Sequence, residues 1–182
     1  MTRSMDVDRI FLVGLSGAGK SITAELVAKC LGWTLTDSDA EIVVREGRPI
    51  ESIFNDDGEE VFRQIEHEII RKISGRQFQV VALGGGSFVN PTTRNLLLKL
   101  GLVVWLDVAP VEAARRLEQS LETEPRPLLG ENPVDRLQDL RRLRIPSYTQ
   151  ANCRIDTTGL TVEEVAEAIV AAAKATRTAV SI

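Results

Sequence analysis

The chain has 182 residues, 43% of them hydrophobic, and a formal net charge of −4, which fits one domain over residues 1–182 and leaves too little chain for two ordinary ones. The acidic balance excludes polyanion binding by bulk charge, so no nucleic-acid partner is expected and any anionic ligand must be met by local cations. No apolar run nears the roughly 18–20 residues of a membrane span, the start at Met1–Asp6 reads as no leader, and Cys30 and Cys153 have neither zinc nor disulfide spacing, so a cytoplasmic monomer without a membrane partner is expected.

Arg9–Val13 predicts a buried strand. It runs into Gly14-Leu15-Ser16-Gly17-Ala18-Gly19-Lys20-Ser21, which fits G-x-x-x-x-G-K-[ST], and then into Ile22–Lys29, with apolar residues at helical spacing. In that context the glycines let successive N–H groups converge on phosphate oxygens, and the helix N-terminus adds positive potential. Residues Gly17, Ala18, Gly19, Lys20, Ser21 and Ile22 are the candidate nucleotide-binding set. Lys20 suits the β- and γ-phosphates, and the Ser21 hydroxyl suits a position on Mg²⁺. The expectation is a nucleoside triphosphate ligand.

Trp33–Thr36 predicts a short strand ending in Asp37-Ser38-Asp39. Two carboxylates there can serve a metal and a substrate, although either, or Ser38, could instead cap the helix that follows. Asn55–Gly58 predicts a break, and from Glu59 an amphipathic helix runs to about Ser74 with Phe62, Ile65, Ile69 and Ile73 inward. Arg63 and Glu66 are three apart, either a surface ion pair or a guanidinium fork held for an anion. His67, the single histidine, suggests no role. Gln79–Leu83 predicts a strand entering Gly84-Gly85-Gly86, more glycine than a turn requires, which permits close approach of a ligand. After a helix from Pro91, a strand over 102–107 and a helix from Pro110, residues 119–133 form a long polar stretch suited to a lid, with Arg126 its only cation. Pro133–Gln150 predicts a helix whose arginines 136, 141, 142 and 144 read as a solvated face. A strand over 153–156 and a helix from Thr161 follow. Short apolar strands alternating with helices argue an α/β fold, a parallel sheet covered on both faces with ligands at the strands' C-terminal edge.

These segments together resemble the shikimate kinases among the P-loop small-molecule kinases. The shared pieces are the P-loop, Asp37-Ser38-Asp39, Phe62-Arg63-x-x-Glu66, the triple glycine, Arg126-Pro127-Leu128-Leu129 and Arg144-x-Pro146-x-Tyr148. The resemblance implies a three-layer α/β sandwich of the nucleoside monophosphate kinase type, with a five-stranded parallel sheet in order 2-3-1-4-5. It further implies a substrate-binding segment at about 37–75, a lid at about 119–133, and transfer of the ATP γ-phosphoryl group to the 3-hydroxyl of shikimate, in aromatic amino acid biosynthesis. Lys20, Asp39 and Arg126 would be catalytic, with Ser21 and Asp37 at Mg²⁺. Asp39, Arg63, Glu66, Gly84, Gly85, Gly86, Arg126 and Arg144 would hold shikimate. The chain departs from the family where an arginine near the adenine is frequent: Gln119, Glu122 and Glu124 stand there. Thr157-Thr158-Gly159-Leu160 also lacks the arginine and proline that commonly edge that site. Weaker or backbone-dominated base contacts are therefore expected. Two rivals remain at this level. A gluconate kinase-like enzyme would not need Asp39, Arg63, the triple glycine and Arg144 together, and a ligand sensor without turnover would not need Lys20, Asp37 and Arg126.

Overall fold

The structure, a computed structural model, describes residues 7–120 and 132–178. In chain order it runs β1 (Arg9–Val13), α1 (Lys20–Leu31), β2 (Thr34–Asp37), α2 (Ser38–Glu46), α3 (Ile50–Ile73) and β3 (Gln79–Ala82). A 3₁₀ turn (Ser87–Val89) leads to α4 (Pro91–Leu100), β4 (Leu102–Asp107), α5 (Pro110–Ser120), α6 (Pro133–Tyr148), β5 (Cys153–Asp156) and α7 (Val162–Thr178). The strands form one parallel sheet in the order β2-β3-β1-β4-β5, as the resemblance implied.

The apolar runs of the inner strands follow from burial on both faces. Ile10, Leu12, Val80, Ala82, Val104 and Leu106 pack with residues of α1, α5 and α7. Their alternates Phe11, Val13, Val81, Val103 and Trp105 pack with residues of α3, α4 and α6. Because every pairing is parallel, the P-loop, Asp37, Gly84, Asp107 and Thr157 all follow or end strands at one edge of the sheet, where ligands of such sheets bind. Among the described residues no helix is long and apolar enough to cross a membrane.

The structure corrects two expectations. The break predicted over 55–58 narrows to Gly58, whose φ of 83° and ψ of 170° interrupt an otherwise continuous α3. Residues 55–57 stay in the helix, and Arg48, just before α3, pairs with Asp56 and Asp57. The arginines of α6 are not one solvated face. Arg141 turns inward and, with Arg154 of β5, holds Asp107 at the end of β4. Arg141 Nε donates to Asp107 Oδ1 at 3.1 Å, and Arg154 Nη2 to Oδ2 at 2.8 Å. Asp107 is 3% exposed, so its charge depends on these donors. Asp107→Asn leaves two guanidiniums facing a neutral amide and is expected to lower the unfolding free energy by about 2 kcal/mol, read by urea denaturation. A change below about 0.5 kcal/mol would make the cluster a surface decoration.

Candidate active site

The loop between β1 and α1 is shaped by glycine. Gly19, which precedes α1, has φ 82°, a conformation costly for other residues. A Cβ on Gly14 would stand 2.3 Å from the Leu106 carbonyl oxygen, so the loop is pressed against the end of β4. Ala18 is buried, whereas Ile22, placed in the nucleotide-binding set, is 57% exposed on the first turn of α1. Lys20 folds back over the loop, its Nζ donating to the carbonyls of Gly14 at 3.1 Å and Leu15 at 2.8 Å.

Asp37 caps the helix that follows it, one of the readings open from the sequence, and its second oxygen stays available for another contact. Its Oδ1 caps α2 by accepting from the amides of Asp39 at 2.9 Å and Ala40 at 3.3 Å. Its Oδ2 accepts from Ser21 Oγ at 2.9 Å. A hydroxyl and a carboxylate oxygen thus meet at the head of α1, a hard oxygen pair of the kind Mg²⁺ takes.

Asp39 lies in the first turn of α2, half-buried. Burial is the main cause that pushes its carboxyl up to about 6, with the charges of Asp37 and Glu66 adding to the rise and Lys20 opposing it. A carboxylate so displaced, in a cleft beside a lysine, is what proton-accepting chemistry near neutrality requires.

The three glycines after β3 are where the site closes up. A Cβ on Gly84 would stand 2.8 Å from Asp39 Oδ1 and 3.0 Å from Glu66 Oε1; one on Gly85, 3.0 Å from Arg144 Nη1; one on Gly86, 2.7 Å from Arg63 Nη1. Each glycine makes room for a different predicted site residue. The turn is also fastened from outside. Gly84 N donates to Ser38 Oγ at 3.0 Å, and Tyr148 Oη to the Gly85 carbonyl at 2.6 Å. Arg63 is no ordinary surface pair: Glu66, 4% exposed, accepts from its Nη1 at 2.8 Å. Arg63 also donates to Glu59 from Nε at 3.3 Å and Nη2 at 3.1 Å. The helical stripe placed Phe62, Ile69 and Ile73 inside correctly, but Glu66 is buried with them and Ile65 only partly.

Of the stretch expected as a lid at about 119–133, residues 121–131, Arg126 among them, lie outside the described residues, while Gln119 and Ser120 belong to α5 and Pro133 opens α6. The structure does bring a guanidinium to the loop after β5, which sequence reasoning missed. Arg116 of α5 donates from Nη2 to the Thr157 carbonyl at 2.8 Å and from Nε to Glu112 Oε1 at 2.8 Å. Its spacing of four from Glu112 was the available signal. His67 engages Thr93 of α4, with Nδ1 and Oγ1 2.9 Å apart.

This geometry has close relatives. A family model described as shikimate kinase matches residues 16–174. A shikimate kinase of Synechococcus sp. (strain RCC307) is 41% identical over 161 residues, 88% of this chain and 81% of that protein. One from Geobacter sulfurreducens is 40% identical over 166 residues, 91% of this chain and 90% of the other. Among solved structures, shikimate kinase from Acinetobacter baumannii in complex with shikimate superposes with a TM-score of 0.86 at 33% identity, covering 93% of this chain and 94% of that one.

Proposed function

The chain belongs to the shikimate kinase family, and we propose that it transfers the γ-phosphoryl group of ATP to the 3-hydroxyl of shikimate, giving shikimate 3-phosphate and ADP. The observation that carries the substrate assignment is the glycine turn. Three consecutive residues without side chains face Asp39, Arg144 and Arg63, two cations for a carboxylate and one carboxylate for hydroxyls. A small hydroxy acid held at both ends has one binding orientation, and phosphoryl transfer depends on position and charge compensation more than on covalent chemistry.

In this reading the amides of residues 17–22 and the Lys20 ammonium hold the phosphates. Ser21 Oγ and Asp37 Oδ2 hold Mg²⁺, which when bound supplies charge compensation at the phosphates. Arg63, backed by Glu66, and Arg144 take the acid's carboxylate. Asp39 accepts a hydrogen bond from the acceptor hydroxyl, orients it and draws its proton. Arg126, brought by the lid segment at 119–133, adds positive charge at the transferring group and helps exclude water, which would otherwise waste ATP. Arg116 stands where it can edge the adenine, from α5 rather than from the lid, so base recognition need not fall to the backbone alone. The single domain with its substrate segment at 37–75, a monomeric state and a cytoplasmic setting complete the proposal.

Gly84→Ala is a direct check on the turn. An added methyl must displace Asp39 or Glu66, and a shift of about 1 Å in a reacting group costs on the order of a hundredfold in rate. kcat/KM for shikimate is expected to fall by about that factor while KM for ATP holds. An active Gly84→Ala enzyme would show that the cleft beside Gly84 is not where the acceptor sits. The activity itself is tested by ADP formation from ATP and Mg²⁺ with shikimate, quinate or gluconate. Release that depends on shikimate is the expected outcome; release with gluconate alone would overturn the substrate while keeping the fold.

A further inference from the structure

Ser87 has no part in the reading above, yet it is 1% exposed and follows directly on the three glycines. Its Oγ donates to Glu66 Oε1 at 2.6 Å. The other oxygen of that carboxylate, Oε2, accepts from Arg63 Nη1 at 2.8 Å. Glu66 has little water to fall back on, so each of its oxygens depends on a protein donor. Ser87 and Arg63 are those donors.

Two features make the Ser87 hydroxyl more than a filler of hydrogen-bonding capacity. Glu66 Oε1 and Asp39 Oδ1 converge on the same point beside Gly84, 3.0 and 2.8 Å from where a Cβ would stand. Two carboxylate oxygens facing one point repel, and a proton donor on one of them is what holds it there. Arg63 is also contested. Glu59, one turn back on α3 with its side chain 68% exposed, accepts from Nε and Nη2. With Glu66 fixed, the guanidinium bridges both acids and keeps Nη1 and Nη2 within 2.8 Å of the Gly86 Cβ position. With Glu66 released, Glu59 and solvent draw it outward, away from the turn.

We propose that Ser87 is a positioning residue: its hydroxyl fixes the Glu66 carboxylate so that Arg63 stays aimed at the glycine turn, and it thereby sets the affinity for the carboxylate of the acceptor acid. The link to affinity rests on the reading of Arg63 as a carboxylate-binding residue given above; the link from Ser87 to Arg63 does not.

Ser87→Ala removes one oxygen and keeps the rest of the packing. The loss of one hydrogen bond to a buried charged group corresponds to about a tenfold effect. KM for shikimate is therefore expected to rise about tenfold, while KM for ATP does not move. In a Glu66→Ala background the same substitution is expected to add nothing, because the relay is already cut. A second readout needs no turnover: ¹⁵N spectra of arginine side chains in the ligand-free protein. Restricted rotation of the Arg63 Nη groups is expected in the parent and is lost in Ser87→Ala, with Arg141, held by Asp107, unchanged as the internal control. An Arg63 signal indifferent to Ser87→Ala overturns the proposal, as does a lower unfolding midpoint with KM for shikimate unmoved, or additive effects in the double variant. Should the Arg63 signal respond while the parent fails to phosphorylate shikimate, the positioning role stands and the functional reading falls.

Discussion

At pH 7 the Asp39→Asn protein is expected to be about 2 kcal/mol more stable than the parent and to have lost about 10³-fold in kcat/KM. Both effects come from one environment. The folded protein holds the Asp39 carboxyl at about 6 against an ordinary 3.8, so the native state binds a proton more tightly than the unfolded chain. Native stability therefore declines as pH rises from about 4 to about 6, and the deficit is complete above that window. The full difference corresponds to about 3 kcal/mol at 1.36 kcal/mol per pH unit; solvent at the half-buried carboxylate screens part of it, which leaves about 2. Asparagine carries no charge, so it escapes the penalty at pH 7 and gains little at pH 4. Under the proposed function the same substitution removes the acceptor of the hydroxyl's proton, a role whose loss costs roughly 10²–10⁴ in rate. Urea unfolding of both proteins at pH 4 and pH 7, with steady-state kinetics, tests the pair. A variant less stable than the parent at pH 7, or a stability gap that ignores pH, would contradict the environment assigned to Asp39.

Lys20→Ala is expected to lower kcat by about 10³ with the fold intact. The ammonium lies over the P-loop, its Nζ on the carbonyls of Gly14 and Leu15, both of which belong to the loop that would cradle the phosphates. Phosphate oxygens are stronger acceptors than neutral carbonyls, so the same short reach serves the nucleotide once it arrives. Removing one preorganised donor from a developing anion costs about 10²–10³, and a full charge sits at the upper end of that range. A second consequence follows from the charge. Lys20 lowers the Asp39 carboxyl against the effects that raise it, so its removal is expected to move the Asp39 titration upward. Carboxyl ¹³C titration of the ligand-free variant reads this directly. Turnover within about threefold of the parent would remove Lys20 from the mechanism.

The sheet was legible because its inner strands are short apolar runs buried on both faces. Arg9–Val13, Leu102–Asp107 and Cys153–Asp156 have the predicted bounds, and β2 lies one residue later than expected. The strand, glycine loop and helix over residues 9–31 were legible because the glycines and the apolar runs on either side dictate that geometry. What could not be read was which charged residues turn inward. Glu66 falls on the same helical stripe as Phe62, Ile69 and Ile73, but a carboxylate there reads as solvent-facing until the partner that satisfies it, Ser87 from 21 residues away, is known. Arg141 reads as part of a charged helix face, and only the pairing of β4 with β5 puts Asp107 and Arg154 beside it. Arg116 precedes the lid stretch in which an adenine-side arginine is expected, and it is α5 that carries it to Thr157. In each case the partner is distant in sequence, so helical periodicity holds no information about it.

The same limit explains the glycines. Three in a row signalled close approach, but what approaches is a set of this chain's own side chains, Asp39, Glu66, Arg63 and Arg144, drawn from α2, α3 and α6. The turn is the place where those elements meet, which is why its substitution is expected to damage chemistry more than stability.

The most direct test of the central claim is the identity of the product. Purified protein is incubated with ATP, Mg²⁺ and shikimate, and the product is examined by ³¹P–¹H correlation NMR. The account predicts a phosphomonoester whose phosphorus couples to the proton on carbon 3 of shikimate, formed in step with ADP. ADP formed with no phosphorylated acid, or a phosphate on another hydroxyl, would contradict it.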